Sequence, residues 1–195
     1  MVKRSSSWQN TLCGCCYGLW SIPPNYRAYR NDRGTLGGVF VLIYKDLVSS
    51  EQPEFVTARE TAWAKIQIHG HRDLFITSYY MPHWEHKHLD QLDASLQQLS
   101  DKSRDFIICG DFNCPDVDWE TGTVPPGASE RPVQEKLVEL SLKHHLSQIH
   151  ELPTRQGSHL DLGFTTNALP YQSLSQYPWP LRPWCHYYWL MHWTI

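Results

Sequence analysis

Phe106-Ile107-Ile108-Cys109-Gly110-Asp111-Phe112-Asn113-Cys114-Pro115-Asp116-Val117-Asp118-Trp119 is the stretch from which the rest of the chain can be placed. The apolar run from Phe106 to Cys109 stops at Gly110, the pattern of a buried strand that ends in a turn. A carboxylate and a carboxamide follow, Asp111 and Asn113. Extended backbone past the turn would set both side chains on one face. There Asp can orient or deprotonate a water, and Asn can donate hydrogen bonds to an anionic transition state. The same pair is also ordinary turn chemistry, because Asp and Asn bond their own backbone at strand ends.

Upstream, Leu89, Leu92, Leu96 and Leu99 recur at helical spacing, which predicts an amphipathic helix over 87–100. Ala62, Ala64, Ile66 and Ile68 alternate with polar residues and Trp63, which predicts a half-buried strand. Gly70 sets a turn between it and Leu74–Tyr80, so the two form a hairpin. Val39 to Tyr44 is apolar on both faces and reads as a central strand covered on both sides. Before it, Pro23-Pro24-Asn25-Tyr26 reads as a turn, and Tyr29-Arg30-Asn31-Asp32-Arg33 leads into Gly37-Gly38. Downstream, Pro115-Asp116 and Asp118 are turn formers, and residues 121–131 are a Gly/Pro-rich loop. Pro132 suits the first turn of a helix whose apolar face is Val133, Leu137 and Leu140. His144 and His145 suit the negative pole at its end without any ligand role. Asp161 then sits between Leu160 and Leu162 on a strand, where a buried carboxylate must have a partner.

With 195 residues the chain is one domain with room for a real core. A formal net charge of −3 gives no basic field, so a nucleic acid would have to be held by a local patch or through a metal. Apolar runs are too short for a membrane span. The basic Met1-Val2-Lys3-Arg4 is followed by polar residues, so no signal peptide is expected. Six cysteines fit neither a zinc module nor a paired framework and read as free thiols in a reducing compartment, cytoplasmic or nuclear. Cys13-Gly14-Cys15-Cys16 lies in a stretch, 1–22, with no period, and no thiol site is expected there. His83-Trp84-Glu85-His86-Lys87-His88 carries metal-capable side chains without fixed geometry and reads as a solvated connection.

Gly110-Asp111-Phe112-Asn113 followed by Pro115-Asp116-Val117-Asp118-Trp119 resembles the endonuclease/exonuclease/phosphatase superfamily. Within it the string is most similar to the endonuclease domain of LINE-type non-LTR retrotransposons. The resemblance runs over about 23–167. It includes Tyr29-Arg30-Asn31-Asp32-Arg33 with Gly37-Gly38-Val39, Tyr80-Met81-Pro82, Pro153-Thr154-Arg155 and Leu160-Asp161-Leu162. It implies an α/β fold, a two-sheet β-sandwich flanked by helices in four layers (α-β-β-α), here incomplete. It implies a divalent ion, Mg²⁺ or Mn²⁺, and hydrolysis of DNA phosphodiesters that nicks a target for the reverse transcriptase domain of the parent element. Asp111 would orient or activate the water. Asn113 and Tyr80 would contact the phosphate oxygens, and Asp161 would orient a histidine from a final Ser-Asp-His motif. Asp111 is the one candidate metal ligand in the matched region.

Two departures bear on activity. The family's first strands carry an Asn and a Glu that is the principal metal ligand, yet residues 1–22 contain no Glu. That segment therefore reads as foreign to the domain, which would be truncated there. The Ser-Asp-His motif is also missing. Residues 168–195 instead hold four of the chain's nine Trp between 179 and 193, with no period. Reading one base later makes Trp179 and Trp184 glycines and turns His186, Tyr187 and Tyr188 into Ile or Thr. With permitted codons the string becomes Pro-Gly-Leu-Ser-Asp-His-Gly-Ala-Ile-Ile-Ile, with Ser-Asp-His on the codons of Leu181, Arg182 and Pro183. A single-base frame slip near Asn167–Ala168 is the expectation. The alternatives are a non-catalytic remnant, or a phosphatase or lipid phosphodiesterase of the same fold.

Overall fold

The computed structural model describes residues 22, 24–32, 38–57, 61–81, 85–100, 105–149 and 160–166. Expectations for 1–21, for His83 and Trp84, for Pro153-Thr154-Arg155 and for the tail from 167 onward lie outside the described residues.

Two sheets face each other. β1 (Tyr26–Asp32) and β2 (Gly38–Tyr44) form an antiparallel pair. The larger sheet holds β3 (Ser49–Glu51), β4 (Thr61–Ile66), β5 (Leu74–Tyr80), β6 (Asp105–Asp111), β7 (Ser147–Gln148) and β8 (Asp161–Thr165), in the spatial order β3-β4-β5-β6-β8-β7. α1 (His86–Ser100) is the crossover that makes β5 and β6 parallel, and α2 (Arg131–Lys143) joins β6 to β7. Only a long connection of this kind can bring two parallel strands side by side.

The apolar periods divide into two cores. Leu89, Leu92, Leu96 and Leu99 of α1 are fully buried with Val133, Leu137 and Leu140 of α2 against Phe75, Tyr79, Phe106, Ile108, Leu162 and Phe164 of the larger sheet. Strand alternation sends Leu74, Ile76, Ile107 and Cys109 to the opposite face, where they meet Ala62, Ala64 and Ile66 and the two-stranded sheet through Tyr29, Val39, Val41 and Ile43. Helices, large sheet and small sheet are thus three layers of an α/β sandwich among the described residues. None of their helices is long and apolar enough to cross a membrane.

Three expectations change. β4 is covered on both faces, because Trp63 is buried under the helix layer and packs edge-on to Phe55 at 6.1 Å. β2 is the half-covered strand: Val39, Val41 and Ile43 are buried, while Phe40 and Leu42 on its other face are only partly so. The two strands exchange the roles their sequences suggest, since Trp63 fills the helix-side face of β4 more completely than a helix–strand period can show. The third change is at Gly110. It does not end the strand but lies inside β6, opposite Tyr79. A Cβ there would sit 1.8 Å from the Tyr79 carbonyl oxygen, so the absence of a side chain is what permits β5 and β6 to pair at this point. Gly70, in contrast, is the turn residue its position suggests, with φ of 74°.

Candidate functional site

The β5-β6-β8 register sets three of the candidate side chains in one row. Tyr80 is the partner of Asp111, and Asp111 is the partner of Asp161. All three fall on the face between the sheets, at the end where β6 stops. Tyr80 packs against the inter-sheet core, and both carboxylates are buried to 8% exposure. The Phe112 amide donates to the Leu160 carbonyl at 2.9 Å, which makes 112 and 160 a hydrogen-bonded pair of the antiparallel ladder. Asp111 and Asp161 are then a non-hydrogen-bonded pair, the position at which facing side chains come nearest, with Cα atoms about 4.5 Å apart.

The fourth residue arrives by a different route. Asn113 does not continue the strand, as the two-residue spacing predicts; its φ is 50°, in the left-handed region. Asp111 Oδ1 accepts its backbone N–H at 3.0 Å, an Asx-type turn, and the Asn113 Nδ2 donates to the Met81 carbonyl at 2.8 Å. Asn113 is therefore tied to the ends of both β5 and β6, but not through a shared strand face. Between the two, Phe112 turns into the helix-side core. Its ring lies 4.7 Å from Tyr79 and 5.3 Å from Phe164, and Trp119 lies 5.1 Å from Phe164 on the far side. This chain of rings underlies the row of polar groups and fixes the strand ends that carry them.

Asp116 and Asp118 are structural, as turn formers. Asp118 Oδ1 accepts the Glu120 and Thr121 amides at 2.9 and 3.2 Å, and hydrogen bonds from Thr121 above all hold its carboxyl below the usual range. Cys109 and Cys114 are free and buried. Burial pushes the Cys109 thiol up to about 12. Burial, followed by the negative charges of Asp111 and Asp116, pushes Cys114 up to about 12 as well. Neither is a nucleophile at neutral pH.

Among the described residues no group of three or more His, Cys, Asp and Glu side chains could hold a metal ion. The Asp111 oxygen that closes the Asn113 turn is already engaged. His86 to His88 are not the solvated connection their sequence suggests: they open α1, and His88 is buried because the first turn of the helix lies against the sheet.

Sequence reasoning passed over Gln134 and the pair Asp93–His144. Gln134 is 1% exposed on α2 and holds the loop that follows Asp111. The signal for it was a lone amide beside Val133 on the buried arc of a helix. His144 is buried at the end of α2, but its partner is the Asp93 carboxylate of α1 at 2.6 Å and not only the helix pole. No local pattern announces a contact across 51 positions.

The two facing sheets with helices packed on one of them are consistent with the α/β sandwich of the endonuclease/exonuclease/phosphatase superfamily. The model of the family described as Endonuclease-reverse transcriptase matches residues 74–182, and the chain belongs to that family. No curated protein matches it. Among solved structures, the endonuclease domain of TRAS1, a telomere-specific non-LTR retrotransposon, is similar with a TM-score of 0.58 and 20% identity. That match covers 75% of this chain and 69% of the TRAS1 domain, and it shows the same fold. An endonuclease/exonuclease/phosphatase family protein from Leptotrichia buccalis C-1013-b is 15% identical with a TM-score of 0.38, covering 73% of this chain and 60% of that one.

Proposed function

We propose that the domain derives from a DNA endonuclease of retrotransposon type, which nicks a target strand for a reverse transcriptase of the same element, and that these 195 residues alone do not turn over. The observation that supports the descent is the row Tyr80–Asp111–Asp161, three polar groups gathered at the end of the sandwich by strand register. On this reading the reaction is hydrolysis of a phosphodiester. Asp111 orients a water and takes its proton, while Tyr80 and Asn113 hold the phosphate oxygens as negative charge builds on them. Asp161 is the carboxylate that orients an imidazole, and the shifted reading of the tail supplies that imidazole as Ser-Asp-His. The substrate meets the protein inside the cell, in cytoplasm or nucleus.

Loss of turnover follows from what the site lacks. It has two carboxylates paired across neighbouring strands, and among the described residues they belong to no group of three or more acidic, His or Cys side chains that could hold a metal ion. Removing one preorganised group typically costs about 100- to 1000-fold in rate. Two or three such deficits, even when not additive, leave little. Dependence on Mg²⁺ or Mn²⁺ is expected only once an acidic ligand is supplied. The test is repair at both ends: an upstream segment bearing the Asn and Glu of a related element, together with the tail re-read one base later. The repaired protein should nick supercoiled plasmid in Mg²⁺, and Asp111→Ala in it should abolish the activity. A repaired, folded protein without Asp111-dependent nicking would overturn the proposal.

A further inference from the structure

We infer that Gln134 is a positioning residue for Asn113: it locks the loop after Asp111 onto α2 and so fixes the left-handed turn that aims the Asn113 amide. The loop covers 112–130 and is bonded to itself along its length. Asp118 and Thr123 exchange backbone hydrogen bonds at 2.9 and 3.2 Å, and Val117 and Val124 are buried in the helix-side core. Its two ends meet at one side chain. Gln134 Nε2 donates to Asp116 Oδ2 at 2.9 Å and to the Ser129 carbonyl at 2.6 Å, and Gln134 Oε1 accepts the Asp116 amide at 2.9 Å. At 1% exposure this amide has no water to fall back on, so each broken bond leaves a buried polar group unsatisfied.

The stretch from Asp116 back to Asn113 is short and stiff. Pro115 has a fixed φ, and Cys114 before it is confined to extended backbone and packed in the core at 1% exposure. A displacement of Asp116 therefore reaches Asn113 almost undiminished. The shift arrives at a left-handed turn, φ 50°, that is closed by the Asp111 carboxylate and tied to β5 through the Met81 carbonyl, so it bears directly on those two hydrogen bonds. α2 thus anchors a group at the candidate site that it does not touch.

The inference rests on reading Asn113 as a phosphate-contacting group, yet its test needs no cleavage. The measurement is amide hydrogen exchange by NMR on the ¹⁵N-labelled full chain. Gln134→Glu keeps the shape and still accepts the Asp116 amide, but it loses both donations and faces the Asp116 carboxylate. Exchange at Asn113 and Asp116 should speed up about tenfold or more, while Ile107 and Ile108 of β6 stay as protected as before. Adding Asp116→Asn reverses the polarity of that pair, with the new carboxamide donating to the new carboxylate; the Ser129 bond stays broken, so Asn113 should return part of the way to slow exchange. Should Gln134→Glu fail to fold, Asp116→Ala removes the Nε2–Oδ2 bond alone from a partly exposed position and should still accelerate exchange at Asn113 relative to β6, by less than Gln134→Glu. Unchanged exchange at Asn113, acceleration shared equally by β6, or no recovery in the double variant would each overturn the inference. None of these outcomes bears on nicking, so the functional proposal stands or falls separately.

Discussion

Gly110→Ala is the smallest change that should dismantle the rim of the sandwich. The added methyl would meet the Tyr79 carbonyl oxygen at 1.8 Å, its carbon at 2.6 Å and the Tyr79 nitrogen at 2.9 Å. All three are backbone atoms inside a paired strand and cannot rotate away. Ordinary contact begins near 3.5 Å, so β5 and β6 must part by roughly 1.5 Å. A ladder hydrogen bond of about 2.9 Å stretched by that much is lost. Two such bonds, each left unsatisfied in a buried sheet, cost about 1–3 kcal/mol apiece. The expected destabilisation is thus about 2–6 kcal/mol, a large share of a typical domain's total. Urea unfolding followed by tryptophan fluorescence measures it. A loss under about 1 kcal/mol would refute the reasoning, because it would mean that the strands are not held this close at Gly110.

Other outcomes follow from the packing and the charges. Asp93 is pushed up by burial, but hydrogen bonds and charge from Lys143 and His144 more than offset this and hold it below its ordinary value. A lowered folded-state pKa stabilises the fold above the unfolded value of about 3.9 and is lost as pH falls through the folded one. Asp93→Asn should therefore cost about 1–2 kcal/mol at pH 7. The difference from wild type should narrow steadily as pH falls below the ordinary carboxylate range, which thermal melts from pH 7 down into acid decide. Leu96→Ala, at a fully buried position on α1, should cost about 2–5 kcal/mol by urea titration. Cys114, with its thiol near 12, should resist iodoacetamide at pH 8 in the native protein and react on unfolding, as read by peptide mass mapping.

Much of the frame was legible because its signals are local. The leucine spacing of α1, Pro132 at the start of α2 and the hairpin around Gly70 each depend on neighbours within a few residues, and each appears where the pattern sets it. What could not be read depends on partners distant in the chain. Trp63 is buried because α1 and the Phe55 turn cover it, which no alternation pattern in β4 encodes. Gly110 resembled a terminator because glycine means either a turn or a close backbone approach, and only the position of Tyr79 separates the two. The row at the candidate site depends on register between strands 50 residues apart, Asp111 opposite Asp161. Periodicity gives no register across such a gap; the resemblance of the motifs to a known family was what drew those two residues together beforehand. At Asn113 strand spacing points to a shared face with Asp111, and the positive φ of Asn113 breaks that geometry.

Plasmid nicking by the unrepaired chain tests the central claim most directly. Purified 195-residue protein is incubated with supercoiled DNA in Mg²⁺, with and without EDTA, beside its Asp111→Ala variant. The expected result is relaxation no faster than in the Asp111→Ala control and unchanged by EDTA. EDTA-sensitive nicking that persists through purification and disappears in Asp111→Ala would contradict the claim, because the row of Tyr80, Asp111 and Asp161 would then suffice for the chemistry.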